Sequence, residues 1–325
     1  NAAIYGLTRF VFAGVYADPQ TGVWAIANGV EGTDDAATAQ LLHLENDVWK
    51  VRLGVTLGTD ARSVRLTSIS GDGAGKLLAV GSTTISATTP DSRGVILRGD
   101  GTTFTVESLG EDLRATWVAA PGDAYVVGGD GGVFHSTSDG GWKYEGTTPA
   151  DFAAVWGSGR GDVYVGGSAP ADFGDTGYLG HRTVIDGGAP SWTYTAFPSS
   201  EQTVGTARIF GGVAGAPGDS WWAGAEFFGN TTVIARSSLD GGQEVWTRST
   251  FVPNVELHGF WARSKSDIWA VGGLGRLYHF DGTAWKDAFL VFNGAPLTAN
   301  LTGVSGTAAG ELFIVGDGVS LRRAP

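Results

Sequence analysis

Val155–Gly167 reads VWGSGRGDVYVGG. Arg160-Gly161-Asp162 inside it has the form of an integrin-binding tripeptide, so the stretch is either an adhesion signal or one turn of something repeated. Its relatives in the same chain favour the repeat. Residues 117–128 read WVAAPGDAYVVG, 261–272 WARSKSDIWAVG, 213–224 VAGAPGDSWWAG, 304–316 VSGTAAGELFIVG, 69–81 ISGDGAGKLLAVG and, most degenerate, 15–27 VYADPQTGVWAIA. Each copy has an apolar segment, a small polar turn, an aromatic or Leu two residues past the turn, and a Gly three residues later (Ala27 in the first). The turn ends on Gly22, Lys76, Asp123, Asp162, Asp219, Asp267 and Glu311. Asp123, Asp162, Asp219, Asp267 and Glu311 are therefore expected to be structural turn acids that accept hydrogen bonds from nearby N–H groups. Arg160-Gly161 is one filling of a variable turn.

A second signal follows each first one: VILRGDGTTF (95–104), VFHSTSDGGW (133–142), RTVIDGGAPSW (182–192), IARSSLDGGQEVW (234–246), LYHFDGTAW (277–285) and a weaker LLHLENDVW (41–49). Asp-Gly between alternating strands marks a hairpin, because Gly takes the positive φ that the turn requires. Four antiparallel strands at a period in the 40s describe a propeller blade. The expectation is an all-β, single-domain, seven-bladed β-propeller of four-stranded blades, with units near 7–53, 63–108, 112–147, 151–197, 204–250, 255–290 and 298–325. The last unit has room for only three strands, so residues 2–6 are expected to close the ring by pairing with it.

The repeats resemble those of secreted bacterial β-propellers. They are also loosely similar to the Asp-box of sialidase-type propellers, best seen at Ser238-Leu239-Asp240-Gly241-Gly242 with Trp246, one residue longer than that box. The resemblance implies the fold. A sialidase site needs an arginine cluster and a Tyr/Glu pair on matched positions; none is placed here, and no catalytic residue is carried over.

The bulk composition agrees with many short strands and tight turns. The 325 residues include 53 Gly and 12 Trp, with only 17% charged residues. A net charge of −12 repels phosphate backbones, which argues against nucleic acid. No apolar run reaches the ~20 residues of a membrane-spanning helix. Without Cys, disulfides and zinc–thiolate sites are excluded. The chain begins at Asn1 and has no Met, which reads as a mature or trimmed product whose parent could carry a lipid or membrane anchor. An extracellular, cell-surface or periplasmic location is expected.

Local chemistry is sparse. Gly71–Lys76 hints at a phosphate loop, but Leu77-Leu78-Ala79-Val80 follows where a hydroxyl and a helix should stand. His43, His135, His181 and His279 recur in third strands and are expected to pack locally, too far apart to share a metal. His258 lies in an opening strand and carries no signal. Four segments between second and third strands read as long loops on one face: 28–40, 82–93, 168–180 and 225–231. They carry Asp34, Asp35, Asp172, Asp175 and Glu226 with Phe173, Tyr178, Phe227 and Phe228, an acidic and aromatic rim. Such a rim suits a protein partner or a surface glycan, and its carboxylates suit calcium, although no regular calcium loop is present. No other cofactor is indicated. The reading is a non-catalytic binding or scaffold module using this face, with a carbohydrate-binding propeller as the alternative.

Overall fold

The computed structural model describes residues 2–5, 10–30, 38–55, 63–84, 92–137, 141–146, 150–159, 161–171, 174–184, 190–196, 207–216, 219–226, 231–240, 243–251, 255–288, 290–292 and 294–325. Six blades are built from four consecutive antiparallel strands each. Blade 1 runs Phe10–Asp18, Gly22–Gly29, Ala39–Glu45 and Val48–Val55. Blade 2 runs Ser63–Gly71, Leu77–Thr84, Ser92–Gly99 and Phe104–Leu109. Blade 3 is Leu113–Ala120, Asp123–Gly128, Val133–Ser136 and Trp142–Tyr144. Blade 4 is Asp151–Gly159, Asp162–Ala171, Gly174–Thr183 and Ser191–Ala196. Blade 5 is Ala207–Ala216, Asp219–Glu226, Thr231–Asp240 and Gln243–Phe251. Blade 6 is Leu257–Ser264, Asp267–Gly272, Leu277–Phe280 and Trp285–Asp287.

The expectation of a seven-bladed propeller with a ring closed by the N-terminal strand is corrected here: the blades built from consecutive strands number six. The last unit is not a blade of its own sequence. It supplies three strands, Leu301–Gly306, Leu312–Gly316 and Val319–Arg323, and the resulting four-stranded sheet is composite, with Ala2–Tyr5 on its outer edge. The seam that joins the two ends of the ring runs from the inner strands out to the fourth strand of blade 1 and the third strand of the composite sheet. There Phe10, Phe12, Trp49, Phe313 and Val315 form one buried cluster across blade 1 and the composite sheet. Thr302 Oγ1 donates to the Phe12 carbonyl at 2.8 Å, the Ala17 amide donates to Ser305 Oγ at 2.9 Å, and Trp49 Nε1 donates to Ser320 Oγ at 3.0 Å. Buried apolar area and satisfied polar groups hold this seam; the short outer strand adds backbone pairing at the rim.

The inner strands share a device. Each departs from regular pairing near its start, with an extra residue between Phe12 and Gly14, Leu66 and Ser68, Leu113 and Ala115, Phe152 and Ala154, Ile209 and Gly211, Leu257 and Gly259, and Leu301 and Gly303; blades 3 to 6 have a second irregularity near the turn. A bulge bends a strand and re-aims its extra side chain. The repeat Gly at the end of the second strand lies against this irregular segment. A Cβ on Gly128 would meet the Asp112 carbonyl oxygen at 1.6 Å, and on Gly81, Gly167, Gly272 and Gly316 the corresponding oxygen at 1.9 to 2.1 Å. Only a residue without Cβ admits that approach.

The four presumed long loops are shortened by strand extension. Asn28, Gly29, Ala39 and Gln40 are strand residues, as are Ser82–Thr84, Ser92, Arg93, Ala225, Glu226 and Thr231. In blade 4 the hairpin pairs Ala169 with Thr176, Pro170 with Asp175 and Ala171 with Gly174, beyond the point where Asp151 begins the inner strand.

Candidate functional site

A tier of side chains repeats around the ring. The aromatic two residues past the turn faces, across the sheet, a third-strand residue that can carry positive charge. The pairs are Trp24–His43, Tyr125–His135, Tyr164–His181, Trp221–Arg236, Trp269–His279 and Phe313–Arg322. The imidazoles stack on their rings at 4.1 to 4.3 Å between centroids, and Arg236 and Arg322 lie over theirs at 5.1 and 5.8 Å. The turn acids complete the unit. Asp123, Asp162 and Asp267 each bond the Nε2 of the third-strand His at 2.7 to 2.8 Å, and Glu311 accepts from Arg322 Nη2 at 2.6 Å. Asp219 opens the second strand of blade 5 at the same place. In blade 1 the position is Gly22, at φ +89°, and His43 Nε2 contacts the Thr21 carbonyl at 2.7 Å instead. The Asp162 carboxylate, also bonded by Ser158 Oγ, is thus committed inside the blade. Paired turn amides go to other acids: Asp100 takes Thr102 and Thr103, Asp281 takes Thr283 and Ala284, Asp18 takes Gln20 and Thr21, and Asp72 takes Ala74 and Lys76.

Blade 3 extends its unit into a strap. His135 Nδ1 lies 3.2 Å from Glu145, which accepts from Arg182 Nε of blade 4 at 2.8 Å. Burial disfavours the Glu145 carboxylate, but the bonds from His135 and Arg182 outweigh it and hold its pKa at about 2. Burial likewise disfavours the His135 imidazolium, and the bonds to Glu145 and Asp123 outweigh it and raise its pKa.

The face that carries the connections between second and third strands opens onto a central channel. The channel cavity of ≈300 Å³ is lined by the inner strands, and the bulge residues Ala13, Thr67, Arg114, Ala153, His258 and Thr302 stand on its wall. Most of the lining is small, since large side chains from neighbouring blades would collide near the axis. Thr67 and Thr302 spend their hydroxyls on carbonyls of the next unit, Leu113 and Phe12. Arg114 is the ionic member: its Nε donates to Asp112 at 3.2 Å and its Nη1 lies 3.0 Å from Asp151. The Gly129–Gly132 connection fixes these acids. The Gly129 amide donates to the Asp112 carbonyl, the Gly131 amide to the Ala150 carbonyl and the Asp130 amide to Asp151 Oδ1. Blade 6 repeats the arrangement with Gly273 on Glu256, Gly275 on Ala299 and Leu274 on Asn300; Leu274 itself is 65% exposed. The result is a rigid mouth with an acidic surround.

Of the residues expected to bind, Asp34, Asp35, Asp172, Phe173, Phe227 and Phe228 lie outside the described residues. Asp175 and Glu226 lie on strands, paired with Pro170 and Thr231, and their side chains are outside the description. Tyr178 is half-buried on the third strand of blade 4, opposite Gly167. Arg114 and His258 were missed as site residues. Their signal is positional: both are the extra residue of an inner-strand bulge, which a propensity pattern does not reveal. Among the described residues no three His, Asp or Glu groups converge as a metal site, and no helix is long and apolar enough to cross a membrane.

No family model matches the chain, and no curated protein sequence matches it. Solved structures do. A structure of YCF48 bound to D1 peptide superposes with a TM-score of 0.66 at 18% identity, covering 100% of this chain and 94% of that one. YCF48 from Cyanidioschyzon merolae superposes with a TM-score of 0.64 at 15% identity, covering 100% of this chain and 98% of that one. At such identities the likeness shows one thing, that the chain is a β-propeller.

Proposed function

We propose that this protein is a non-catalytic binding module that holds a segment of a partner polypeptide across the loop-bearing mouth of its channel. The observation that carries the reading is the mouth itself. Arg114 is clamped between Asp112 and Asp151, and those acids are in turn pinned by the backbone of the Gly129–Gly132 connection. A site so preorganised binds at little ordering cost. Its acidic surround, in a chain of net charge −12, complements a basic partner segment. The neighbour bound to D1 peptide supports the same use of the fold.

The test is site-specific photo-cross-linking in extracts of the native source, from probes at Asp130 and Leu274 on the mouth and at Thr283 on the opposite face. The expected outcome is one protein partner cross-linked from Asp130 and Leu274, with yield falling as salt rises. Cross-links from Thr283 alone would overturn the placement, and no cross-linked protein from any position would overturn the function.

A further inference from the structure

Blade 2 breaks the tier. Where the other units place an aromatic, it has Leu78, facing Arg98 across the sheet. Where the turn acid stands, it has Lys76. The neighbouring wall is reduced as well. The residue after the turn position is Val23, Leu77, Val163, Ile268 or Leu312 in five units, but Ala124 in blade 3 and Ser220 in blade 5. These two shortfalls face each other across the interface between blades 2 and 3. A cavity of ≈380 Å³ lies there, lined by Leu77, Leu78, Val118 and Ala124, with Lys76 and Arg98 beside it. Leu78 is 3% exposed and Lys76 is 64% exposed, so the space runs from an apolar floor to solvent.

We propose that this cavity receives an aromatic side chain of a partner polypeptide, supplying in trans the ring that blade 2 lacks. Three observations converge on that occupant. The equivalent interface of blade 1 is filled by Trp24, packed on Leu77 and 5.9 Å from Phe104. Every ring of the tier is stacked by an imidazole or covered by a guanidinium, and Arg98 occupies that covering position. The guanidinium is already held, with one side over Trp142 at 5.0 Å, Nε 3.4 Å from Glu107 and both Nη atoms 3.4 Å from Ser136 Oγ. A ring entering over Leu78 gains apolar burial and a preplaced cation, the combination that makes aromatic anchors dominate interfaces. The basic groups Lys76 and Arg98 are balanced by Asp100 and Asp123, so a neutral ring suits the site better than an anion. This inference does not depend on the channel mouth, because the cavity lies on the opposite, short-turn face.

N-acetyl-5-fluorotryptophanamide is the probe. Its fluorine line should broaden on titration with the whole protein and be restored by excess N-acetyltryptophanamide but not by N-acetylleucinamide. Intermolecular contacts should appear from the indole to the methyls of Leu78, Val118 and Ala124, which share the blade 2–3 interface. Leu78→Trp, which installs the ring of the sister blades, and Ala124→Ile, which installs the residue of blade 6, should each weaken binding by roughly tenfold or more. Leu78→Trp should also raise the thermal midpoint. The proposal is overturned if the wild-type protein does not broaden the probe, if the leucine amide competes equally, or if the methyl contacts fall elsewhere.

Discussion

At the scale of single residues, the repeat glycine shows how a sequence pattern acquires a physical cause. Gly128 is followed by a chain that must turn back, but its turning is not what excludes a side chain: the Asp112 carbonyl oxygen at 1.6 Å from a notional Cβ does. Gly128→Ala is expected to cost at least ~3 kcal/mol, because backbone on both strands has to shift. Gly141→Ala, where a Cβ would meet nothing within 4 Å, is expected to stay within ~0.5 kcal/mol. Urea unfolding of the two variants checks the contrast, and equal costs would remove the close-approach explanation. The same scale explains what was and was not legible. Asp123, Asp162 and Asp267 could be aligned from spacing, yet their bonds to His135, His181 and His279 could not, because third-strand register is set by pairing. Arg236 and Arg322 occupy the place of His in two units, a substitution that makes sense only once the covered ring is seen, and Arg98 holds the same place opposite Leu78.

At the scale of elements, blades 3 and 4 are joined by charge as well as by apolar packing, through Asp123, His135, Glu145 and Arg182. Glu145 is depressed to about 2 from 4.5, so its contribution is complete above pH ~4.5 and disappears as pH falls toward 2. His135 is raised above 6.5, so its contribution is complete below pH ~6.5 and fades as pH rises through the raised value. The stability lost in Glu145→Gln should therefore be greatest between about pH 4.5 and 6.5, on the order of 3 kcal/mol, and shrink on both sides. Thermal unfolding of both proteins across pH 3 to 9 tests this; a pH-independent difference would mean that shape, and not charge, joins the blades. Strand existence and order were readable at this scale from period-2 alternation and Asp-Gly turns. The inner-strand bulges were not, because an extra residue in a short apolar strand leaves no periodic trace, and with them went Arg114 and His258.

At the scale of the molecule, the question is what holds the ring shut. The outer strand Ala2–Tyr5 is four residues long and pairs on one side only, with Val319–Arg323. The seam buries Phe10, Phe12, Trp49 and Phe313 in one cluster and satisfies its polar groups across more than 270 residues of sequence. Removing a large side chain from such a cluster leaves a cavity that a rigid ring cannot collapse around, so Phe313→Ala should cost ~3–5 kcal/mol. Deleting residues 1–5 should cost no more than ~2 kcal/mol, a few backbone bonds on a rim, and leave unfolding cooperative. It should instead expose the Val319–Arg323 edge and promote self-association, because an unpaired strand is a template for another chain. Sedimentation velocity and denaturant unfolding of the two variants separate these effects. If the deletion destabilised the protein as much as Phe313→Ala, the rim would be the latch and the seam its consequence; the burial of the seam argues for the reverse.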